Sequence, residues 1–163
     1  MRIYPVPAGL HIVVPMIWRD DWAWGMALIV LTVVIHVIGL GLINQAVDRA
    51  FHNMMKRHHT TAMFALVMGT LTLLVTSLHA LEASIWAASY WLLGALPEYK
   101  FAMLYSLNAL TSYGHENLTL EHRWQLMGAI EALNGWLLFG LTTAFLFGMM
   151  EKVGLLSSKS PKG

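Results

Sequence analysis

Apolar residues in this chain are concentrated in three long runs. Trp22–Val47 contains no charged residue, Thr60–Leu81 contains none apart from His79, which can be neutral, and Trp124–Met150 contains only Glu131. About 20 helical residues are enough to cross the ~30 Å hydrocarbon core of a bilayer. The pattern therefore predicts an all-α membrane protein with three transmembrane helices.

Composition supports this interpretation and excludes several other classes. Hydrophobic residues make up 57% of the chain and charged residues only 12%, about half the charge of an ordinary soluble domain. A buried soluble helix could explain one apolar run, but too little chain remains to cover three. The absence of cysteine excludes disulfides and thiolate metal sites. A net charge of +1 without a basic stripe argues against nucleic acid as a partner. We also expect no enzymatic activity.

Lysine and arginine placement predicts the orientation. Six of these residues lie in the 48–59 loop and beyond the third run, against four on the opposite side. The positive-inside rule then places the C-terminus in the cytoplasm and the N-terminus outside. We expect a multi-pass protein of the plasma (inner) membrane, surrounded by lipid.

The segment between the second and third runs has a different character. The second helix is expected to continue to Gly94, since no breaker precedes Gly94 and Pro97. Tyr99–Leu110 is apolar and helix-compatible, but a helix of this length covers only about 18 Å. The polar turn 111–117 follows it. This arrangement favours a re-entrant helix and loop, because non-helical backbone at membrane depth must pack in protein or line a water-filled path; the alternative is a helix lying flat on the outer surface.

Two stretches carry a resemblance to a known family. Leu104–Leu120 is similar to bacterial pore segments that end in T-T-x-G-Y-G-D-L-T-L, and Trp124–Phe147 resembles the inner helices of small bacterial members. Residues 60–153 thus resemble the pore module of the two-transmembrane potassium channel superfamily, which implies a homotetramer around a central pore. The implied parts are an N-terminal segment (1–21), an extra peripheral helix (22–48), an outer helix (60–94), a pore helix (98–110), a filter (111–117), an inner helix (124–151) and a flexible cytoplasmic tail (154–163).

The filter motif is altered in this chain. Aligned on Leu118-Thr119-Leu120, the family's first filter glycine falls on Gly114, but His115, Glu116 and Asn117 replace its tyrosine, second glycine and aspartate. The second glycine occupies a position suited to positive φ, where glutamate would cost about 1–2 kcal/mol in each subunit. We therefore expect no potassium selectivity. The implied filter residues are Thr111, Ser112, Tyr113, Gly114, His115, Glu116 and Asn117.

Glu116 and His115 suggest a different chemistry for the pore. In a tetramer, Glu116 would form a carboxylate ring that attracts cations and binds divalent ions such as calcium. The alternative is a surface ion pair of Glu116 with Arg123 or Lys100. A His115 ring would titrate near neutral pH, which predicts inhibition by acid that a His115→Gln pore would lose; an exposed loop histidine is the alternative.

Polar residues inside the spans are further candidates. His79 and Glu82 lie three residues apart, as do Glu131 and Asn134, and counting along the helices places both pairs in the outer part of the membrane, level with the filter. We expect the pairs to meet behind the pore loop, either hydrogen-bonding its backbone or clasping two helices. A metal site from His79, Glu82 and Glu131 is an alternative. The same counting places His36 deeper and apart from His79, which argues against a bis-histidine haem.

The inner helix contains candidate hinge and cavity residues. Gly135 and Gly140 could act as gate hinges or as close-packing positions, and Thr142 and Thr143 could face a water-filled cavity. We expect no cofactor other than bound monovalent or divalent cations. Two other classes remain open: a non-conducting membrane scaffold with the same fold, and a membrane protein that binds a metal or a redox group.

Overall fold

A computed structural model of the chain describes residues 14–54, 61–114 and 118–158. This part of the chain is helical and contains no strand. A short 3-10 turn, His122–Trp124, precedes the last helix. The helices are α1 (Val14–Met54), α2 (Thr61–Leu92), α3 (Tyr99–Leu110) and α4 (Gln125–Ser158).

The three predicted spans are confirmed as long apolar helices. Arg19–Ala50, Thr61–Leu92 and His122–Val153 are each 32 residues long and apolar enough to cross a membrane. Their outward faces carry large exposed apolar side chains such as Leu66 and Leu73. Such faces are typical of helices that contact lipid.

Close packing at small residues sets the directions of the spans. A Cβ on Gly39 of α1 would lie 2.7 Å from Leu78 of α2, and one on Gly25 would lie 2.8 Å from Ile130 of α4. Further along, Lys152 Nζ donates to Asn44 Oδ1 over 3.0 Å. Positions that increase along α1 thus meet positions that increase along α4, so α1 runs parallel to α4. Along α2 the order is reversed, because His36 contacts Glu82 whereas Gly39 contacts Leu78, so α1 and α2 are antiparallel.

The prediction that Gly94 ends α2 is confirmed. Gly94 has a φ of +69°, and the Ala95 amide donates to the Tyr90 carbonyl over 2.8 Å. The Gly94 N–H also donates to the Trp91 carbonyl at 3.1 Å, and these two hydrogen bonds together form a Schellman motif. Glycine is suited to its left-handed position because it has no Cβ.

The short helix α3 spans the predicted residues and lies between α2 and α4. Its Tyr105 ring packs edge-on to Tyr90 of α2, with 5.3 Å between centroids. On the other side, a Cβ on Gly128 would overlap the Tyr105 hydroxyl, and one on Gly135 would overlap the Leu110 carbonyl oxygen. α3 therefore runs alongside α4 in the same direction, and its C-terminus reaches Gly135, roughly 15 Å along α4 from its start.

The main core lies where α2, α3 and the first half of α4 meet. Trp86, Tyr90, Ala102 and Met127 are fully buried there, and Leu28 of α1 joins the same cluster. This core holds α3 rigidly beside the two spans.

Candidate functional site

The turn after α3 contains the four described residues of the predicted filter. Thr111 ends the helix in the right-handed region with a φ of −87°, and Ser112 follows at +54°. The Tyr113 amide donates to the Asn108 carbonyl over 3.0 Å and the Ser112 amide to that of Ala109 over 2.9 Å, so α3 also ends in a Schellman motif. Here a serine occupies the left-handed position that Gly94 occupies after α2.

Beyond this cap the turn is exposed. Gly114 has a φ of +96°, and the Tyr113 side chain is 85% exposed. The Ser112 hydroxyl accepts a hydrogen bond from Trp136 Nε1 over 3.0 Å, and Trp136 itself is 71% exposed. His115, Glu116 and Asn117 lie outside the described residues, so the carboxylate and imidazole rings stay predictions. Arg123, one alternative partner for Glu116, is paired with Glu121 at 3.1 Å.

A buried carboxylate ties α3 to both neighbouring helices. Tyr90 of α2 donates its hydroxyl to Glu131 Oε2 over 2.7 Å, and the Ser106 hydroxyl of α3 bonds to Glu131 Oε1. Ser106 also lies 2.8 Å from the Ala83 carbonyl of α2. Glu131, Ser106 and Tyr90 are all fully buried. This three-helix contact, here called the Glu131 cluster, positions α3 against α4.

Asn134 faces α1 rather than the loop. Its amide nitrogen donates to Thr32 Oγ1 over 2.9 Å, and Thr32 in turn donates to the Leu28 carbonyl over 2.8 Å. Asn134 Oδ1 is buried and has no hydrogen-bond partner among the described residues. The two predicted polar pairs are therefore separate: Glu131 and Asn134 bond to other partners than His79 and Glu82.

His79 and Glu82 belong to a closed ring of four side chains, here called the His–Glu ring. His36 Nδ1 lies 2.8 Å from Glu82 Oε1, and His79 Nδ1 lies 3.2 Å from Glu82 Oε2. Both imidazoles reach Thr142 Oγ1 through Nε2, at 3.1 Å for His36 and 3.0 Å for His79. The ring joins α1, α2 and α4, and all its members are buried or nearly so.

The ring corrects the depth at which the sequence analysis placed His36. The two imidazole centroids are 5.1 Å apart, although counting along the helices separated them. α1 and α2 both extend beyond their apolar runs, and the contact of Gly39 with Leu78 sets their offset. Counting from the ends of apolar runs therefore could not give relative depth.

The same contacts correct two further expectations. His79 bonds to Thr142, which lies roughly 10 Å further along α4 than Gly135, so it is not level with the turn that follows α3. The candidate metal ligands that do lie together are His36, His79 and Glu82, whose ligand atoms are all within 4.8 Å of one another. Glu131 is not among them, because it bonds to Ser106 and Tyr90.

The candidate hinge and cavity residues of α4 differ in their surroundings. Gly135 packs directly on the α3 backbone, whereas a Cβ on Gly140 would meet nothing within 4 Å. Thr142 belongs to the His–Glu ring, and Thr143 is exposed and donates to the Phe139 carbonyl of its own helix over 2.8 Å. Of the four, Gly135 and Thr142 make the contacts between helices.

Three members of these clusters were not predicted from the sequence. His36 was singled out as an intramembrane polar residue but given no role, and its position in the middle of an apolar run was the available signal. Ser106 and Tyr90 were not singled out. A serine or tyrosine in an apolar helix carries no sequence signal for a partner that lies 25 or 41 residues away.

Comparisons with known proteins give no relative for this chain. Neither protein-family models nor curated proteins match its sequence, and no solved structure matches its fold.

Proposed function

We propose that this protein is a pore-loop cation channel, assembled from four copies, in which the turn after α3 lines a central water-filled path. The observation that carries the proposal is the position of that turn. α3 ends beside Gly135, near the middle of the His122–Val153 span, and the turn after it is exposed.

Membrane physics limits what can surround such a turn. Backbone groups outside a helix cost several kcal/mol each in hydrocarbon when they are unsatisfied, so exposed turns at this depth occur against protein or water. The Thr111–Gly114 turn leaves the helical hydrogen-bond pattern and points Tyr113 outward. Assembly around an axial water path supplies both protein neighbours and water to this turn.

The rigid seating of α3 supports the same proposal. A pore loop must keep its lining groups at fixed distances from the axis, and loose loops do not achieve this. The Glu131 cluster and the backbone contact of Leu110 with Gly135 hold α3 on α2 and α4. Trp136 then fixes the first residue of the left-handed turn, Ser112.

The proposed ion preference follows from charge. In this re-entrant arrangement the C-terminal end of α3, the negative end of its dipole, points to the middle of the membrane, and four such ends favour a cation. The outer mouth would add the Glu116 and His115 rings that the sequence predicts. We therefore propose a pathway for monovalent cations without potassium selectivity, with divalent ions binding at Glu116.

The remaining parts take supporting roles in this proposal. α1 is an added helix packed on the outside of the pore module, with the N-terminus outside and the C-terminus in the cytoplasm of a plasma (inner) membrane protein. Gly140, with open space around it, is the proposed bending point of α4. Thr143, exposed on the same helix, is proposed to face the water-filled cavity.

Cation flux into liposomes that contain the purified full chain tests the proposal. We expect comparable sodium and potassium flux, block by calcium from the outer side, and a loss of that block in Glu116→Gln. Glu121→Gln is the matched control, because Glu121 is an exposed carboxylate in the same outer loop that pairs with Arg123. Absence of flux, or a strong preference for potassium over sodium, would contradict the proposal.

A further inference from the structure

With both imidazoles neutral and Glu82 ionised, the His–Glu ring has fewer hydrogens than its N···O pairs need. Four N···O pairs close the ring: each of His36 and His79 meets Glu82 through Nδ1 and Thr142 through Nε2. A neutral imidazole has one N–H, a threonine has one O–H, and an ionised carboxylate has none. Three hydrogens are therefore available for four pairs.

The geometry identifies the pair that has no hydrogen. His79 Nδ1 and Glu82 Oε2 are 3.2 Å apart, yet both are buried atoms without a hydrogen-bond partner among the described residues. The other three pairs have hydrogen-bond geometry. One assignment satisfies them all: His36 Nδ1–H donates to Glu82, Thr142 O–H donates to His36 Nε2, and His79 Nε2–H donates to Thr142. His79 Nδ1 then carries a lone pair and no hydrogen, 3.2 Å from Glu82 Oε2.

A nitrogen and a carboxylate oxygen that lie 3.2 Å apart in a buried site with no hydrogen between them repel, and a cation bound to both removes the repulsion. The atoms available to such a cation are two imidazole nitrogens and a carboxylate, the donor set that zinc and other first-row divalent metals take in proteins. Hard ions such as calcium take oxygen ligands instead. The ligand set is therefore typical of a transition metal.

Distances within the ring agree with this chemistry. Zinc–nitrogen and zinc–oxygen bonds of about 2.0–2.1 Å in a tetrahedron place neighbouring ligand atoms ~3.3 Å apart. The two Nδ1–Oε pairs are 2.8 and 3.2 Å apart, and all three ligand atoms lie within 4.8 Å of one another. Small side-chain shifts would therefore complete the coordination.

Thr142 occupies the position of an outer-shell partner. When Nδ1 of both histidines coordinates a metal, each Nε2 carries the remaining hydrogen, and the two lone pairs of Thr142 Oγ1 can accept both. Metal-bound histidines usually donate their second N–H in this way, and that bond fixes the ring orientation. The hydrogen of His36 moves from Nδ1 to Nε2 when the metal enters, so both imidazoles stay neutral and no net proton is released.

From these contacts we infer that His36, His79 and Glu82 form a binding site for a divalent transition metal, with Zn²⁺ the best fit. The bound metal links α1 to α2, and the Thr142 hydroxyl orients both imidazoles. The site is separate from the proposed pore, because it lies on the α1 side of α4, roughly 10 Å further along that helix than the contact of α3. Its occupancy does not depend on whether the protein conducts ions.

Metal binding by the purified full chain in detergent tests the inference. The chain has eight histidines, so the other six are first changed to glutamine to remove competing ligands: His11, His52, His58, His59, His115 and His122. After chelator treatment and dialysis against Zn²⁺, we expect one zinc per chain by elemental analysis. Co²⁺ in place of Zn²⁺ is expected to give the visible d–d absorption of a four- or five-coordinate site.

Substitutions in this background separate ligands from bystanders. We expect Glu82→Gln and His79→Gln to weaken zinc binding at least ~100-fold, and Thr142→Val to weaken it about 10–100-fold. Asn134→Asp is the matched control: it places a carboxylate elsewhere in the buried interface and is expected to leave zinc affinity unchanged. Far-ultraviolet circular dichroism establishes that each variant remains helical.

Two results would overturn the inference. One is a helical, chelator-treated protein that takes up no zinc or cobalt at micromolar metal, which would mean that an added proton completes the ring. The other is zinc binding that Glu82→Gln leaves unchanged. Neither result bears on cation flux, so failure of this inference is distinguishable from failure of the proposed channel.

Discussion

Replacing Gly135 with alanine places a methyl group where the end of α3 lies. The new Cβ would overlap the Leu110 carbonyl oxygen and lie 2.8 Å from its carbon and 3.0 Å from its Cα. All three are backbone atoms, so no side-chain rotation relieves the overlap. The end of α3 would have to move away from α4.

The expected magnitude follows from two opposing effects. Overpacking of a close contact costs about 1–3 kcal/mol, and a backbone neighbour makes the upper part of that range appropriate. Alanine in place of glycine in a helix interior recovers about 0.5–1 kcal/mol. We therefore expect Gly135→Ala to lower the free energy of unfolding by about 2 kcal/mol.

Gly140→Ala is the matched control on the same helix. Nothing lies within 4 Å of the Cβ that this change would add, so only the helix-propensity gain remains. We expect a rise of about 0.5–1 kcal/mol in the free energy of unfolding. The two variants should thus differ by about 3 kcal/mol although both are glycine-to-alanine changes in one helix.

The assay is reversible unfolding in mixed micelles with increasing dodecyl sulfate, followed by circular dichroism and by the fluorescence of the chain's seven tryptophans. Cation flux of the same variants in liposomes should fall for Gly135→Ala, because the turn would be displaced. Equal stabilities for the two variants would refute the contact of α3 with the middle of α4.

Four further predictions concern α3 and its surroundings. Glu131→Leu should lower the free energy of unfolding by about 1–3 kcal/mol, because it leaves the buried Tyr90 hydroxyl without its acceptor, whereas Glu131→Gln, which can still accept and donate, should cost less than half as much in the same assay. Gly128→Ala should destabilise the wild-type chain but much less a Tyr105→Phe chain, because the phenolic hydroxyl is the group it overlaps; equal costs in a double-mutant cycle would argue against that contact. Burial and the nearby Glu131 raise the pKa of Tyr105 from 10 to about 12. The folded state therefore holds the phenolic proton more tightly, and the stability that results is present below pH 10 and lost between pH 10 and 12. The melting temperature of Tyr105→Phe should lack that part of the fall at alkaline pH. Ser112→Gly should melt at a higher temperature than Ser112→Ala, because both lack the hydroxyl that Trp136 bonds and only alanine keeps the left-handed cost of about 1 kcal/mol; equal melting temperatures would contradict the φ of +54°.

Local features of the fold followed from the sequence. Gly94 and Pro97 marked the end of α2, and the polar turn after Leu110 marked the end of α3, because turn residues act on the backbone within a few positions. The three spans followed from length and hydropathy alone. These signals depend on neighbours in sequence and need no knowledge of packing.

The buried clusters did not follow, because they depend on how far one helix slides along another. The pairing of His36 with Glu82 requires the offset that Gly39 and Leu78 set between α1 and α2. The separation of Glu131 from His79 likewise follows from α3, whose Ser106 takes the carboxylate. No sequence count along single helices contains that information.

The proposed channel places the turn after α3 at the centre of the assembled protein, and an experimental density map of the full chain in lipid nanodiscs tests this placement most directly. We expect four copies around an axis, with Thr111–Gly114 facing that axis near the middle of the membrane. A map in which α3 lies flat at the membrane surface, or in which the turn faces lipid, would contradict it.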